Sequence, residues 1–176
     1  RPQRVRRVNP SPDPSDQSVR SIAERFVAAR LAAVPLPAFP GAIPPDLDAA
    51  FRKFIPPFGA AGNPVDITGG EPPKTYQNTV RLGLEDPRIH ALILGYWHTI
   101  VTPPMVFAKI MVEVVEEMRA KGIHKPVVAS LAGDVEVEEA AEYLYDHGIP
   151  AYAYSTEIPV AVLGAKYQWA RGAGLI

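Results

Sequence analysis

The residues of this chain best suited to chemistry lie in one short polar segment after an apolar run. His98 comes directly after residues 91–97 and shortly before a helix start at Pro103. An imidazole placed there can hydrogen-bond a phosphate or exchange a proton near neutral pH, and the free N–H groups of a helix start favour a phosphoryl group. A plain loop contact is the alternative for His98. The candidate phosphoryl-binding residues are His98, Thr99, Ile100, Val101 and Thr102.

A second candidate segment is the loop in residues 62–70, Gly-Asn-Pro-Val-Asp-Ile-Thr-Gly-Gly. Its apolar run precedes repeated strand–helix cycles, which predicts a loop at the carboxyl end of a parallel strand, where open α/β sheets bind ligands. Asp66 either faces that edge or closes a turn. Gly69 and Gly70 either let a ligand approach the backbone or supply a positive φ.

The other histidines are predicted to be structural. His90, His124 and His147 fall at the opposite edge of the sheet or at a helix end, and no two histidines have metal-ligand spacing. The sequence contains no cysteine, which excludes disulfides, thiolate catalysis and cysteine-bound metals. We therefore predict that this chain ligates no metal.

Two further groups of side chains lie in the last third of the chain. Glutamates at positions 136, 138 and 139 open a helix whose dipole they stabilise, with a catalytic acid pair as the alternative. The tyrosines and tryptophan between residues 143 and 169 are interpreted as core or subunit contacts rather than as a base-stacking platform.

Alternating strands and helices position these residues. Residues 91–97 form a continuous apolar run, which is typical of a strand covered on both faces. The alternation predicts right-handed crossovers and an α/β fold with a parallel sheet. Strands are predicted at residues 65–68, 91–97, 127–131 and 151–154, and helices at residues 45–54, 73–84, 103–121, 135–147 and 158–171.

Length and composition predict one domain preceded by a tail. Residues 1–34 are rich in proline and arginine and are expected to be largely disordered, apart from a possible short helix at 21–33; residues 35–176 form the module. A formal net charge of −1 argues against nucleic-acid binding. No stretch approaches the roughly 20 apolar residues that span a bilayer. We expect a cytoplasmic protein without a membrane partner.

Several motifs, taken in order, resemble those of the NDP-forming acyl-CoA synthetases, the superfamily that includes succinyl-CoA synthetase. The resemblance covers residues 39–171 and is to the second flavodoxin-like CoA-ligase module, apparently truncated. It implies a three-layer, flavodoxin-like α/β fold, in which helices lie on both faces of a parallel sheet. The motifs are Asn63-Pro-Val-Asp-Ile-Thr-Gly-Gly, Leu84-Glu-Asp-Pro-Arg, Lys125-Pro-Val-Val, Gly133, and Gly148-Ile-Pro-Ala-Tyr with Glu157.

The resemblance implies a place in the reaction that converts acid, CoA and ATP to acyl-CoA, ADP and phosphate. In that superfamily a phosphohistidine carries the phosphoryl group to a nucleotide in an ATP-grasp domain, and the helix beginning at Pro103 would cradle it. CoA and ATP or ADP would be bound mainly by other domains. The implied partners are ATP-grasp and CoA-binding domains or subunits, in an oligomer.

Two family features have no counterpart in this sequence, namely a Ser-His-Thr-Gly segment and an ATP-grasp domain. For the family's first strand, expected ahead of residue 39, residues 1–34 offer only Arg4 to Val8. We therefore assign no catalytic residue to this chain and expect no turnover by it alone. Two other hypotheses remain open. One is a non-catalytic binding or scaffolding module that kept the fold, and the other is an isolated anion- or nucleotide-binding flavodoxin-like domain.

Overall fold

The computed structural model of this protein describes residues 43–175. The disorder predicted for residues 1–34 lies outside the described residues. Within the described range every predicted helix and strand is present, with ends that differ from prediction by at most three residues. The helices are α1 (Pro45–Phe51), α2 (Pro73–Glu85), α3 (Pro104–Ala120), α4 (Val135–Asp146) and α5 (Glu157–Gly172), and the strands are β1 (Ala60–Ala61), β2 (Val65–Asp66), β3 (Leu92–Trp97), β4 (Val127–Ala132) and β5 (Ala151–Ala153).

A parallel sheet in the order β3-β4-β5 forms the centre of the fold. Its front face is covered by α2, α3 and α4, which pack side by side in that order, and α5 packs on β4 and β5. Parallel strands need long crossover connections, and α3 and α4 supply them. The predicted α/β architecture is thereby confirmed.

The main core lies between the front face of the sheet and α3. The ring of Phe107 stacks on Tyr96 with centroids 4.4 Å apart and meets Tyr76 edge-on at 5.7 Å. Along α3 the apolar side chains recur at helical spacing, so Met111 and Met118 face the same core. These buried contacts hold β3 and β4 in register beneath the start of α3.

The first predicted strand does not join this sheet, so that prediction was wrong. Residues 65 and 66 instead pair antiparallel with Ala60 and Ala61 in a separate two-stranded ribbon. The ribbon is short because Pro64 precedes it and Asp66 ends it, accepting a hydrogen bond from the N–H of Thr68 at 2.8 Å. The ribbon packs with α1 in a second, smaller apolar cluster, whose buried members are Leu47, Phe51, Ile55 and Ala61.

The prediction that β3 is covered on both faces was also wrong. Leu94 and Tyr96 are buried on the front face, whereas Ile93 and Trp97 on the back face are 44% and 75% exposed. A continuous apolar run shows that a strand is apolar on both faces, but it does not show that both faces are covered. In the described residues, β4 is the strand whose side chains are buried on both faces.

Candidate functional site

The carboxyl ends of the three parallel strands meet at one edge of the sheet. β3 ends at Trp97 and leads to His98, β4 leads to Gly133 and Asp134, and β5 leads to Tyr154. Ligands of open α/β sheets bind at this edge. The structure therefore brings the predicted His98 segment to the predicted side of the fold.

The loop between β3 and α3 is braced from within. The Tyr96 hydroxyl donates to the carbonyl oxygen of Thr102 at 2.7 Å and accepts a 3.3 Å hydrogen bond from the N–H of Thr99. The Thr99 hydroxyl donates to the Thr102 carbonyl oxygen and accepts from the Thr102 N–H, both at 3.2 Å. At the tip, the side chain of Ile100 is 96% exposed. The loop thus has a fixed base and an apolar tip.

Thr102 does not face the edge as predicted, because its side chain is completely buried. Its hydroxyl donates to the carbonyl oxygen of Glu71 at 2.8 Å, which ties the loop to the segment that follows β2. The N-cap of α3 is Pro103, without a side-chain cap. Thr102 is therefore a bracing residue rather than a helper at the helix start.

The start of α3 offers fewer donors than a typical helix start. The first four N–H groups of a helix have no partner within the helix, but Pro103 and Pro104 lack an N–H altogether. Phe107 already donates to the Pro103 carbonyl oxygen at 3.0 Å. The donors that remain in the first turn are the N–H groups of Met105 and Val106, and the side chain of Val106 is 38% exposed.

His98 pairs with the start of α4 rather than with α3. Its Nδ1 lies 3.1 Å from Oδ1 of Asp134, and its Nε2 lies 3.8 Å from Oε2 of Glu136. The same Asp134 oxygen accepts the N–H of Glu136 at 3.2 Å and so caps α4. The arrangement fixes the imidazole and surrounds it with negative charge.

Close packing against Gly133 holds His98 in place. A Cβ at Gly133 would lie 2.7 Å from Cβ of His98 and 2.5 Å from Cγ2 of Val137. Only glycine fits between the two side chains. The glycine after β4, which the sequence analysis used as a family motif, is thus a packing requirement of this edge.

The loop after β2 also reaches the edge, although β2 lies outside the parallel sheet. Gly69 approaches Thr99, since a Cβ at Gly69 would lie 3.3 Å from Cγ2 of Thr99. The positive φ in this loop belongs to Thr68, at 63°, and not to either glycine. Asp66 closes the turn, which agrees with its structural interpretation. A Cβ at Gly70 would meet no atom within 4 Å, so that position is open.

Comparison with known proteins identifies the family of this chain. A family model described as the Ligase-CoA domain matches residues 38–176. The chain belongs to the Ligase-CoA domain family. The predicted membership of the NDP-forming acyl-CoA synthetase superfamily is confirmed by this match and by the relatives.

Two curated relatives are ADP-forming CoA ligases. The chain is 36% identical over 121 residues to the ADP-forming acetate–CoA ligase I subunit alpha of Pyrococcus furiosus, covering 69% of this chain and 25% of that protein. It is 33% identical over 105 residues to the ADP-forming 4-hydroxybutyrate–CoA ligase of Nitrosopumilus maritimus, covering 58% of this chain and 14% of that protein.

A solved structure of a related enzyme is also similar to this chain. The dinucleotide-forming acetyl-coenzyme A synthetase 1 of Ca. Korarchaeum cryptofilum, in complex with phosphate and ADP, aligns with a TM-score of 0.67 and 32% identity. The alignment covers 83% of this chain and 29% of that chain. This Ligase-CoA domain therefore spans less than a third of each of these proteins.

Two residues of the edge were not predicted to belong to it, although Tyr154 was among the tyrosines interpreted as core or subunit contacts. Asp134 lies within hydrogen-bonding distance of His98. The Gly-Asp pair that follows the buried strand β4 is the sequence feature that could have indicated its place at this edge. Tyr154 has a left-handed backbone with φ of 64°, and its hydroxyl donates to the Asp134 carbonyl oxygen at 3.2 Å. Burial, followed by the charge of Glu138, raises the pKa of the Tyr154 hydroxyl. Nothing in the sequence pattern indicates that backbone conformation.

Other family motifs of this Ligase-CoA domain lie at the opposite edge and support the fold. Lys125 donates to the carbonyl oxygen of Asp86, joining two of the motifs, and burial lowers the pKa of its ammonium group. Among the described residues no cluster of three or more histidine, aspartate or glutamate side chains could hold a metal ion. In residues 43–175 no helix is both long and apolar enough to cross a membrane.

Proposed function

We propose that this chain is one module of an ADP-forming acyl-CoA synthetase, which converts acid, CoA and ATP to acyl-CoA, ADP and phosphate. The family match and the names of the relatives support this assignment. The chain spans about a quarter of the P. furiosus subunit, so CoA and nucleotide would be bound mainly by other domains. ATP-grasp and CoA-binding domains or subunits are the proposed partners, in an oligomeric cytoplasmic enzyme.

The role proposed for this module is to stabilise a phosphoryl group at the start of α3. The observation that carries this role is the braced loop, which is fixed at Tyr96 and Thr102 and leads directly into α3. The N–H groups of Met105 and Val106 would donate to the phosphoryl oxygens. The positive end of a helix with 17 residues adds about half an elementary charge. His98 would act at the rim as a hydrogen-bonding group.

This module would not carry out a chemical step by itself. The phosphorylated histidine would come from another segment of the assembly. The module would therefore bind and orient a phosphoryl group that other domains form and consume.

A non-catalytic scaffolding module is the second candidate function, and two observations favour it. Pro103 and Pro104 remove two donors from the helix start. The carboxylates of Asp134 and Glu136, which flank His98, repel an anion on that side of the edge. In this alternative the edge would contact a partner without touching the phosphoryl group.

Substitutions at Val106 distinguish the phosphoryl-binding role from the scaffolding role. Glutamate in a first helical turn is compatible with the helix dipole but would repel a phosphoryl group, whereas Val106→Gln is a neutral control of the same shape. In the assembled enzyme we expect Val106→Glu to lower acyl-CoA formation roughly 10-fold or more, equivalent to about 1.4 kcal/mol. Val106→Gln should stay near the unsubstituted rate. Equal, undiminished rates with an intact fold would exclude the phosphoryl site and favour scaffolding.

A further inference from the structure

Helix α5 has an apolar stripe on the side that faces away from the sheet. Ile158, Val162, Ala165 and Trp169 follow one another at intervals of four, three and four residues, which places their side chains on one face of a helix. Ile158 is 42% exposed, Trp169 is 68% exposed, and Ala165 is exposed as well. The buried residue of α5, Pro159, lies off this stripe, on the side that packs against β4 and β5. A helix on the surface of a sheet normally presents polar side chains outward, so this apolar stripe indicates a contact with another surface.

The charged side chains near the two ends of α5 are arranged symmetrically about its middle. Glu157 begins the helix, Arg171 lies in its last turn, and Gly164 is midway between them. About four helical turns separate the two charges, so both lie on the same flank of the stripe. Both side chains are exposed, and among the described residues neither is in an ion pair. In an antiparallel pair of α5 helices, each Glu157 would therefore lie opposite Arg171 of the other copy, whereas a parallel pair would place like charges together.

The middle of α5 leaves room for a second helix. Ala161, Gly164 and Ala165 are small, and a Cβ added at Gly164 would meet no atom within 4 Å. Two helices approach to about 8 Å between their axes where the contacting side chains are small. An antiparallel arrangement centred near Ala165 would also bring Ile158 beside Trp169 of the other copy. The same arrangement therefore covers the apolar stripe and pairs the terminal charges.

We propose that α5 is the contact of a two-fold dimer, in which α5 of a second copy of this chain packs antiparallel on the apolar stripe. A two-fold contact uses the same surface of both copies, so each pairwise contact occurs twice. Packed helices cross at an angle, and one end of the second α5 would therefore extend over the neighbouring back face of β3, where Ile93 and Trp97 are exposed. This dimer would form whether or not the carboxyl edge of the sheet binds a phosphoryl group.

Single cysteines test the contact and its direction in the full 176-residue chain, which has no cysteine of its own. Ala165→Cys lies at the centre of the antiparallel contact and should form an intermolecular disulfide roughly 10-fold faster or more than Ala49→Cys, a control for random collision at an exposed residue of α1. Ile158→Cys would lie about 20 Å from its copy and should cross-link no faster than the control. Equal rates for Ala165→Cys and Ala49→Cys would overturn the dimer, and fast cross-linking of Ile158→Cys would overturn the antiparallel arrangement.

Charge reversal tests the pairing of Glu157 with Arg171, with the dimer dissociation constant measured by analytical ultracentrifugation. Glu157→Arg and Arg171→Glu each place two pairs of like charges in the dimer and should raise that constant roughly 10-fold. The double variant restores opposite charges and should return to within about 3-fold of the unsubstituted chain. Each single change also opposes the dipole of α5, so a purely structural role would make the double variant the weakest dimer. That result, or an unsubstituted chain that stays monomeric at every concentration, would overturn the proposal.

Discussion

Gly133 is the residue on which the geometry of the candidate site depends most. It separates His98 from Val137 at distances that no side chain tolerates. We expect Gly133→Ala to lower the free energy of unfolding by about 1–3 kcal/mol, because the added carbon forces both neighbours to move. Urea denaturation would measure the loss, and NMR would report a displaced His98 ring. Gly70→Ala is the control, since an added carbon there meets nothing within 4 Å, and an equal loss in both variants would contradict this account.

Asp86 makes the stability of the fold depend on pH at the acidic end. Its carboxylate accepts from the Arg88 guanidinium at 2.6 Å, and Arg88 also bonds Asp46 of α1 at 2.8 Å. The Arg88 hydrogen bond lowers the pKa of Asp86 from 3.8 to about 2. Because the pKa of Asp86 is lower in the folded chain than in the unfolded chain, its carboxylate stabilises the fold at pH values above the unfolded pKa. This stabilisation is lost as the pH falls from about 4 to about 2.

We expect this loss to lower the free energy of unfolding by about 1–2 kcal/mol, after allowance for solvent screening of the Asp86–Arg88 ion pair. It is measured as the difference in unfolding free energy between the unsubstituted chain and Asp86→Asn across this pH range. The comparison with Asp86→Asn is needed because Arg81 and Lys121 lower the pKa of Glu117 to about 2 as well. If the two proteins lose stability in parallel, Asp86 is not the group responsible.

At the scale of elements, the hydroxyl of Thr102 joins the loop before α3 to the loop before α2. Thr102→Val keeps the shape but leaves the carbonyl oxygen of Glu71 without its donor, which should cost about 1–2 kcal/mol. NMR relaxation should then show greater motion in residues 69–72. Thr102→Ser retains the donor and should leave that segment ordered. Loosening by serine as large as that by valine would mean that the methyl group, and not the hydrogen bond, holds the loops together.

The helices and the parallel strands were predictable because each has a periodic apolar pattern and a clear stop. Positive-φ glycines, at 79° for Gly122 and 77° for Gly148, end α3 and α4. The pairing of β2 was not predictable, since a short apolar run does not specify which strand it joins. Coverage of β3 was not predictable either, because burial of its back face depends on other elements.

The candidate site was predictable only in part, for a related reason. The position of His98 after an apolar run predicted that it lies at the carboxyl edge of the sheet, because parallel strands end together. Its partner Asp134 is 36 residues away in sequence and meets it only through the β3–β4 register. The buried role of Thr102 depends on a contact with Glu71 that no local pattern encodes.

At the scale of the whole molecule, the exposed aromatic side chains predict weak association of the isolated chain. Trp97 is 75% exposed and Trp169 of α5 is 68% exposed. We expect light scattering to report association that rises with concentration and reverses on dilution. Trp97→Lys should reduce this association, because a charge on the exposed back face of β3 opposes contact between chains. Tyr145→Lys, at a residue 65% exposed on α4, is the matched control, and an equal reduction would locate the association elsewhere.

The fold contains two separate apolar clusters, and we expect them to unfold separately. The cluster around Leu47 and Phe51 meets the rest of the fold mainly through Ile67, Leu82 and Ile89. Cooperative units with few shared contacts exchange and unfold at different free energies. A protease that cuts after Phe58, which is 77% exposed between α1 and β1, should therefore release α1 while the β3–β5 sheet stays resistant.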